Sequence, residues 1–481
     1  MAEQNIFFLP VREFCRREYF TCRVDENVRE LARIMRDHNV SSLVVLDSDE
    51  PVGIVTDRDL RCKVVAEGAD PAGLLARDIM SGPLIVVRDE DNFFEVVYQM
   101  SHHGIHRLGV VDHDNRLCGM VNESDLIRIQ TQSPQHLAKE IEKAADTKVL
   151  KGYHAEIEEM IVSLADAGIK TRDLVRLISD FNDRIQCRLI ELLRQEQRFA
   201  GLTDDFAFVV MGSEGRSEQT LKTDQDNAII YADHLDQQQI AILEGFSLAL
   251  IDGLIEIGVP SCPGGIMAKN AFWRRPLTPW REALESWIST PSPDNIMNFS
   301  MFSDLRTLHG DRSLEDQLKA HILRRTRDDD MFIARMAANA ARFHSPLTIF
   351  GNFKREKNGP QKGKIDLKKA GIFTLTEGIK ILALEKGRLG GSTSEKIAWL
   401  QQQGVFTAQK AGDIDAAFNL LVFLRLRCQT LAIREGREPS NYLDPDKLDR
   451  VEKNRLHTAL EVVKSFQGFL RGHFQLDLIT N

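Results

Sequence analysis

The stretch MGSEGRSEQTLKTDQDNAIIY, residues 211–231, places a Gly-Ser pair, a polar loop and an Asp-x-Asp pair directly before an apolar run. The residues before it, DFAFVVM (205–211), are apolar at odd and even positions alike, which predicts a strand in a sheet covered on both faces. Glycine lets a backbone approach a ligand closely, and freed N–H groups beside a Ser hydroxyl can hold phosphate. The stretch therefore predicts a strand, a phosphate-binding turn and a second strand.

Asp224 and Asp226 are two residues apart at the predicted start of the second strand, so their side chains share a face that Ala228 and Ile230 continue inward. Neighbouring carboxylates repel one another, and a divalent cation removes that repulsion. Magnesium, or manganese in its place, binds carboxylate oxygens together with substrate phosphates. The pattern predicts nucleotidyl transfer from a nucleoside triphosphate, with Asp224 and Asp226 as catalytic metal ligands.

The whole string resembles the polymerase-β nucleotidyltransferase superfamily, whose signature is Gly-Ser, a spacer and Asp-x-Asp on a strand. It is most similar to the branch of bacterial protein-PII uridylyltransferase and glutamine-synthetase adenylyltransferase. By this resemblance Gly212 and Ser213 contact the triphosphate, and Asp224 and Asp226 bind magnesium. Further matching positions are Gly215, Arg216, Glu218 and Thr223.

Two features of the string leave alternatives open. Arg216 either reaches a phosphate or pairs with Glu214 or Glu218. The superfamily also adds a third carboxylate from a later strand, and the equivalent segment here, CPGGIMAKN (262–270), contains no acid. Asp304 is either its substitute or half of a salt bridge with the neighbouring Arg306.

The first third of the chain contains an internal repeat. NVRELARIM and NFFEVVYQM each predict a helix with one buried stripe, followed by an apolar strand, a hairpin turn, a second strand and a closing helix. The stripes are Val28, Leu31, Ala32 and Met35 in the first copy and Phe93, Val96, Val97 and Met100 in the second. The first strands end at Asp47 and Asp112, and the second strands are expected to begin at Gly53 and Gly119.

Each copy ends with the pattern G-h-x-[T/N]-x-x-D: Gly53, Thr56 and Asp59, then Gly119, Asn122 and Asp125. Helix capping alone explains such a pattern. The paired arrangement also resembles a CBS-domain pair, in which the Thr contacts phosphate and the Asp holds the ribose hydroxyls of an adenine nucleotide.

This resemblance implies ligand-binding roles for Thr56, Asp59 and Asp125. Asn122 replaces the hydroxyl residue of the second copy, so the cleft around Thr56 and Asp59 is the one expected to bind the regulatory ligand. CBS pairs commonly associate face to face, which implies a homodimer.

Residues 131–200 have helical periodicity throughout and predict a connector of two or more helices joined near Gly168. From about residue 281 the pattern is mainly helical, broken by FKREKNGPQKGKIDLKKAGIF (353–373). Lys362, Lys364, Lys368 and Lys369 in that segment either close over phosphates, with Lys368 as nucleotide-binding residue, or form a solvated loop. The region resembles the helical C-terminal domain that accompanies this module in bacterial CBS-containing signalling proteins.

Composition excludes several classes of protein. A net charge of −9 and a pI near 5.9 disfavour a main role in binding nucleic acid, and no segment is apolar and long enough to predict membrane insertion. The seven cysteines include no C-x-x-C pair, which indicates reduced thiols and a cytoplasmic location. A polymerase or a tRNA-end nucleotidyltransferase would need a basic stripe for the phosphate backbone.

The predicted fold class is α/β multidomain, with a CBS pair over 1–130, a helical connector over 131–200, a nucleotidyltransferase domain over 201–330 and a helical domain over 331–481. The predicted function is transfer of a nucleoside monophosphate to a protein hydroxyl, controlled by adenine nucleotide at the CBS pair. A PII-like regulator is one candidate acceptor. The alternative is a catalytically silent nucleotide-binding regulator.

Overall fold

The computed structural model describes residues 9–48, 50–131, 133–166, 169–222, 224–341, 347–348 and 351–478. Gly168 and Thr223, named above from the sequence, lie outside the described residues. The chain forms two compact units, Met1–Leu137 and Ala138–Asn481.

The first unit is built from short strands and helices that alternate along the chain. Its strands are β1 (Thr21–Arg23), β2 (Ser42–Asp47), β3 (Glu50–Thr56), β4 (Val86–Arg88), β5 (Arg107–Val111) and β6 (Leu117–Asn122). Its helices are α1 (Val28–Asp37), α2 (Asp57–Asp59), α3 (Ala76–Ile79), α4 (Phe93–His103) and α5 (Glu123–Thr131), with α6 (Pro134–Lys143) following.

The repeat predicted from the sequence is confirmed in the order of these elements. The sheets β1-β2-β3 and β4-β5-β6 have the same topology, with a parallel first pair and an antiparallel hairpin. The second hairpin strands begin earlier than expected, at Glu50 and Leu117, because ladder pairing extends back towards the turn. Ala32 is exposed, since the buried face of α1 needs only Val28, Leu31 and Met35.

The second unit contains a further sheet enclosed by helices. Its strands are β7 (Phe206–Val210), β8 (Asn227–Tyr231), β9 (Arg274–Pro276), β10 (Arg306–Gly310), β11 (Ile365–Asp366) and β12 (Tyr442–Leu443). Its helices are α7 (Thr147–Asp166), α8 (Thr171–Arg194), α9 (Gly212–Gly215), α10 (Gln237–Ile257), α11 (Leu277–Ser289), α12 (Pro293–Phe302), α13 (Arg312–Thr326), α14 (Asp330–Ala340), α15 (Phe373–Glu385), α16 (Thr393–Gln402), α17 (Ala408–Arg434) and α18 (Arg450–His473).

The four-stranded sheet has the order β10-β7-β8-β9, in which only β8 and β9 run parallel. Every residue of β7 and β8 is buried, as the two-sided apolar pattern predicts for central strands. Ala228 and Ile230 pack into the core with Trp280 and Phe302. Asp224 and Asp226 stand just before β8 rather than within it, because the ladder begins at Asn227.

Two strands of this sheet were not predicted where they lie. The segment 262–270, expected to be equivalent to the later strand, contains no strand, and β9 follows it. β10 lies in the region expected to be mainly helical and pairs antiparallel with β7 at the edge of the sheet. Its sequence, RTLHG, has no apolar alternation, and its residues are at most partly buried. An edge strand needs little apolar surface, so its pattern resembles that of a loop.

The C-terminal region is a helical bundle in which α17 packs against α18, α16 and α8. Within the described part of the chain, α17 is the one helix that is long and apolar enough to cross a membrane. In this structure 56% of its most apolar window is buried inside the protein. Its apolar composition therefore matches its place in the core of the bundle.

Candidate functional site

The turn at Gly212–Ser213, here called the phosphate turn after its predicted role, and the aspartate pair of Asp224 and Asp226 line one cavity of about 380 Å³ together with residues of the C-terminal bundle. This space is here called the front cavity. Gly212, Ser213, Arg216, Asp224, Asp226 and Lys368, all singled out from the sequence, line it. The bundle contributes an apolar wall that includes Phe373, Phe418 and Val422. Residues far apart in the chain thus surround a space that combines charged and apolar sides.

The phosphate turn depends on two glycines. Gly212 has a φ of 55°, and a Cβ on it would lie 3.2 Å from the Asp226 Oδ2 atom. A Cβ on Gly215 would lie 1.9 Å from the Asp304 carbonyl oxygen, so no larger residue fits there without moving the backbone. The Met211 N–H donates to the Asp226 carbonyl at 2.8 Å, which holds the turn against the aspartate pair.

Asp224 and Asp226 both line the front cavity. Burial raises the pKa of Asp226 to about 6, and the charge of Asp224 adds to the shift. Lys368 and the thiol of Cys262, which lies within hydrogen-bonding reach of Asp226, act in the opposite direction. Two half-buried carboxylates that face one cavity fit a hard divalent cation, and these two residues would hold it.

The buried carboxyl of Glu214 lies beside this pair. The sequence suggested Glu214 only as an alternative partner of Arg216. It accepts a hydrogen bond from the Gln186 side chain at 2.7 Å and from the Asp226 N–H at 3.3 Å. Burial, followed by the nearby charge of Asp226, raises the pKa of Glu214 to about 8. The side chain is therefore mostly protonated at neutral pH.

Arg216 belongs to a buried ionic cluster. Its guanidinium donates to Glu218 at 2.8 Å and to Asp304, so pairing with Glu218 is observed and pairing with Glu214 is not. Asp304 also accepts from Lys380 at 3.0 Å and lies 3.5 Å from Lys396. The cluster joins the phosphate turn to α15 and α16 of the bundle.

This cluster decides between the two interpretations of Asp304. Desolvation alone would raise the pKa of Asp304, but Lys380, Arg216 and Lys396 together lower it. Asp304 is thus half of several salt bridges, although not with Arg306, which pairs with Asp183 at 2.9 Å. It is already occupied by cations and does not replace the third carboxylate.

The segment 262–270 places the thiol of Cys262, rather than a carboxylate, against Asp226. Among the described residues, no third His, Cys, Asp or Glu completes a three-ligand cluster with Asp224 and Asp226. Among the described residues, the pair thus lacks the third metal-binding carboxylate that the resemblance to the superfamily implies.

The bundle supplies two cations to the front cavity. Of the four lysines singled out in 353–373, only Lys368 is among the cavity's lining residues; desolvation and the neighbouring Arg425 lower its pKa. Arg425 is buried, its Nε donates to the Asn441 side chain at 2.7 Å, and desolvation lowers its pKa to about 10. Both cations interact electrostatically with Asp224.

The sequence reasoning missed Arg425, Asn441 and Tyr442 as cavity residues. Arg425 lies in the middle of an apolar helix, where an arginine whose side chain cannot reach solvent is unusual. A buried arginine needs a partner of opposite charge or a polar ligand. That signal was present in the string LVFLRLRCQ.

In the first unit, Thr56 and Asp59 form a capping box at the start of α2. The Thr56 hydroxyl donates to Asp59 at 2.6 Å, and the Asp59 N–H donates back to the hydroxyl at 3.4 Å. Asp59 also accepts from Ser81 at 3.1 Å and lies 2.9 Å from the Lys63 ammonium. Burial opposes ionisation, but these hydrogen bonds lower the pKa of Asp59.

Asp125, the counterpart of Asp59 in the second copy, is fully buried. It accepts from the Arg16 side chain at 2.8 Å and from the Asn122 N–H at 3.0 Å. The equivalent positions therefore differ in the cation they pair with: Asp59 pairs with Lys63, four residues later, whereas Asp125 pairs with Arg16 of the N-terminal segment.

Three protein families match the chain in succession. The CBS domain family matches 11–65 and 76–131, a family described as "Putative nucleotidyltransferase DUF294" matches 155–294, and one described as "Putative nucleotidyltransferase substrate binding domain" matches 330–474. The chain belongs to the CBS-domain proteins that carry a DUF294 module. The phosphate turn and aspartate pair of the DUF294 domain, together with Lys368 and Arg425 of its partner domain, form the front cavity.

Three similar proteins each match between 25% and 28% of this CBS–DUF294 protein. An uncharacterized protein of Methanopyrus kandleri is 38% identical over 28% of this chain and 69% of its own length. Hypoxic response protein 1 of Mycobacterium tuberculosis is 29% identical over 25% of this chain and 81% of its own length. The crystal structure of CBSX2 in complex with AMP is 24% identical over 26% of this chain and 97% of that one, with a TM-score of 0.23.

Proposed function

We propose that this protein is a signalling nucleotidyltransferase that transfers a nucleoside monophosphate from a nucleoside triphosphate to a hydroxyl group of a protein. The observation that carries the proposal is the front cavity, which brings the phosphate turn, the aspartate pair and two cations of the bundle around one space. The match to the DUF294 nucleotidyltransferase family over 155–294 supports the same reaction class.

Different residues of the front cavity are suited to different parts of a nucleoside triphosphate. The Gly212–Ser213 turn offers backbone N–H groups and a hydroxyl to phosphate oxygens, and Lys368 and Arg425 neutralise phosphate charge from the opposite wall. The apolar side with Phe373 and Phe418 is suited to the base and sugar. Asp224 and Asp226 would hold magnesium or manganese, which supplies charge neutralisation at the transferred phosphate.

The transfer itself forms a bond between the acceptor oxygen and the α-phosphorus and breaks the bond from the α-phosphorus to the bridging oxygen. Pyrophosphate leaves with that bond's electron pair, and the proton of the acceptor hydroxyl passes to water. The acceptor protein supplies the attacking hydroxyl, for which a tyrosine is one candidate. This chain's residues bind and orient the phosphates. A PII-like regulator is a candidate acceptor because the cavity motif resembles that of the protein-PII uridylyltransferases.

The CBS pair serves as the regulatory part of the proposed protein. The first copy keeps the Thr56 hydroxyl that the resemblance assigns to phosphate, whereas Asn122 replaces it in the second copy, so the first copy is the proposed adenine-nucleotide site. We propose a homodimer formed through the CBS pair, in the cytoplasm and without a membrane or nucleic acid partner. The acidic net charge of −9 supports the last point.

A second candidate function is a catalytically silent nucleotide-binding regulator. Two observations favour it: Cys262 lies beside Asp226 where an acid would be expected, and Asp304 is occupied by three cations. Such a protein would bind triphosphate and metal in the same cavity without releasing pyrophosphate.

The two candidates are separated by transfer of α-labelled ATP and UTP into protein, with magnesium or manganese, in a lysate of the source organism. The full chain is compared with Asp224→Asn/Asp226→Asn and with Asp236→Asn, a control that keeps a good cap at the start of α10. Label with the wild type and the control, but not with the double variant, supports transfer. Retained triphosphate binding with no label in any sample supports the silent regulator.

A further inference from the structure

A tyrosine of this chain, Tyr442, lines the front cavity together with the aspartate pair. It belongs to β12, where it pairs with Asp366 of β11, and it is partly exposed. The next residue, Leu443, packs into the core of the helical bundle. Because successive residues of a strand point to opposite faces, the Tyr442 side chain is directed away from that core, on the side of the cavity that it lines. No role proposed above uses this residue.

The phenolic hydroxyl of Tyr442 is accessible and forms no internal hydrogen bond. It has no hydrogen-bond partner among the residues that the structure describes, and it is not one of the buried unpaired atoms of that part of the chain. By contrast, the hydroxyl of Thr376, on the wall of the same cavity, donates to the Ile372 and Phe373 carbonyls at 3.0 Å. An accessible phenolic oxygen is a possible nucleophile for a bound electrophile.

The backbone that carries Tyr442 is held against the two cations of the front cavity. The Leu367 N–H donates to the Asn441 carbonyl at 3.1 Å, and the Arg425 Nε donates to the Asn441 side chain at 2.7 Å. Lys368 follows Leu367 directly, and Lys368 and Arg425 are the groups assigned above to phosphate. The tyrosine is thus fixed on the wall that is proposed to hold the triphosphate. A nucleophile attached to the binding site needs no separate encounter with the substrate, which favours its reaction.

We propose that Tyr442 is a self-modification site, at which the chain transfers a nucleoside monophosphate to its own phenolic oxygen, a further activity that rests on the proposed function. The Tyr442 Oη atom forms a bond to the α-phosphorus, and the bond from that phosphorus to the bridging oxygen breaks. Pyrophosphate leaves with the electron pair of the broken bond, and the phenolic proton passes to water. Because the added group stays at the front cavity, the modified chain has less room there for another triphosphate.

The test incubates the purified full chain with ATP or UTP and with magnesium or manganese, and mass spectrometry of its peptides locates any added nucleoside monophosphate. Asp224→Asn/Asp226→Asn is the inactive reference, and Tyr442→Phe removes the phenolic oxygen but keeps the ring. Tyr98→Phe is the matched control, because Tyr98 is 50% exposed on α4 of the first unit. The modified residue is located in the wild type, so its assignment does not depend on the folding of a variant.

The wild type and Tyr98→Phe are expected to carry the added group on Tyr442, and the double variant and Tyr442→Phe are expected to lose it. The modified fraction should grow at a rate that does not depend on the concentration of the chain, because attack occurs within one cavity. A rate that rises with concentration would overturn the proposal, as would an added group on another residue, such as Ser440.

The same experiment separates this proposal from the proposed function. An unmodified chain that nevertheless labels a protein of the lysate, in the assay described above, would overturn self-modification and leave the transfer activity in place. The absence of label from the chain and from every lysate protein would overturn both.

Discussion

At the scale of single residues, the protonation of Glu214 affects the stability of the protein. Burial raises its pKa from 4.5 to about 8. Between these values the unfolded chain loses a proton that the folded chain keeps, so this residue lowers the free energy of unfolding as pH rises through the window. Below the window both states are protonated, and above it the loss is complete.

The substitution Glu214→Gln removes this titration while preserving the shape and an acceptor for the Asp226 N–H. We expect the stability of the variant relative to wild type to increase as pH rises from about 5 to about 8 and then to level off. Urea unfolding across this range measures the difference. Parallel stability curves for the two proteins would contradict the assigned pKa.

Glu315→Gln is a control with the opposite sign. Burial disfavours the charge of Glu315, but hydrogen bonds from Lys319 and Thr307 outweigh it and lower its pKa. The stability that this ionised group contributes is present above its unfolded pKa and is lost as pH falls through its folded pKa. The variant should therefore lose most stability, relative to wild type, near neutral pH.

The sequence predicted the residues of the candidate site only where they belong to one short motif. Gly212, Ser213, Asp224 and Asp226 fall within one short stretch, and two strands bring them together. Arg425 reaches the same cavity only through the packing of α17, a long-range contact that no spacing in the sequence encodes. The same holds for the pairing of Asp304 with lysines of α15 and α16.

At the scale of secondary-structure elements, the one-turn helix α9 should be intolerant of a side chain at Gly215. A Cβ there would lie 1.9 Å from the backbone oxygen of Asp304, and relief requires the turn or the start of β10 to move. We expect Gly215→Ala to lower the melting temperature and to weaken triphosphate binding at least tenfold. Gly412→Ala is the matched control, because nothing lies within 4 Å of a Cβ on Gly412 in α17.

Alanine favours a helix more than glycine does, so the control should be neutral or slightly stabilising. Thermal unfolding and binding of a non-hydrolysable triphosphate measure both variants. Wild-type binding by Gly215→Ala would show that the turn adapts, and the structural basis for a glycine at this position would then be wrong.

The junction between the phosphate turn and helices α15 and α16 relies on the carboxylate of Asp304. Asp304→Asn leaves Arg216, Lys380 and Lys396 with one fewer negative charge, and both lysines are 2% exposed or less. Breaking a buried ionic cluster in this way typically costs about 3–5 kcal/mol. We expect a loss of that order in chemical unfolding of the full chain.

An exposed ion pair, Asp446 with Arg355, serves as the control for the Asp304 substitution. Asp446 pairs with Arg355 at 2.7 Å in solvent, where salt screens the attraction. Asp446→Asn should leave the unfolding midpoint nearly unchanged. Equal effects of the two substitutions would show that the Asp304 cluster contributes no more than a surface contact.

A strand or helix could be predicted from the sequence only where its burial leaves a clear pattern of apolar residues. β7 is apolar on both faces and was predicted correctly, whereas β10 is short, polar and at an edge and was missed. The hairpin strands of the CBS pair were predicted too short, because their turn-proximal residues pair through backbone atoms that carry no sequence signal.

At the scale of the whole molecule, the CBS pair and the DUF294 module belong to separate compact units, Met1–Leu137 and Ala138–Asn481. Regulation of one by the other therefore requires a coupling free energy between two distinct ligand sites. Such couplings typically change affinity by about 5- to 150-fold, and they are reciprocal for binding. Reciprocity gives a test that does not depend on the sign of regulation.

If adenine nucleotide at Thr56 and Asp59 controls the front cavity, AMP should change the affinity for a non-hydrolysable triphosphate by a given factor. The triphosphate should then change the affinity for AMP by the same factor, as measured by titration calorimetry of the full chain. Asp59→Ala should abolish both effects, whereas Asp114→Asn, on the exposed hairpin of the second copy, should preserve them. Because the Asp59 side chain completes the capping box of α2, hydrogen exchange of residues 50–59 must confirm that the first copy remains folded. Tight AMP binding with no change in triphosphate affinity would mean that the two units bind their ligands independently, and the proposed regulation would be wrong.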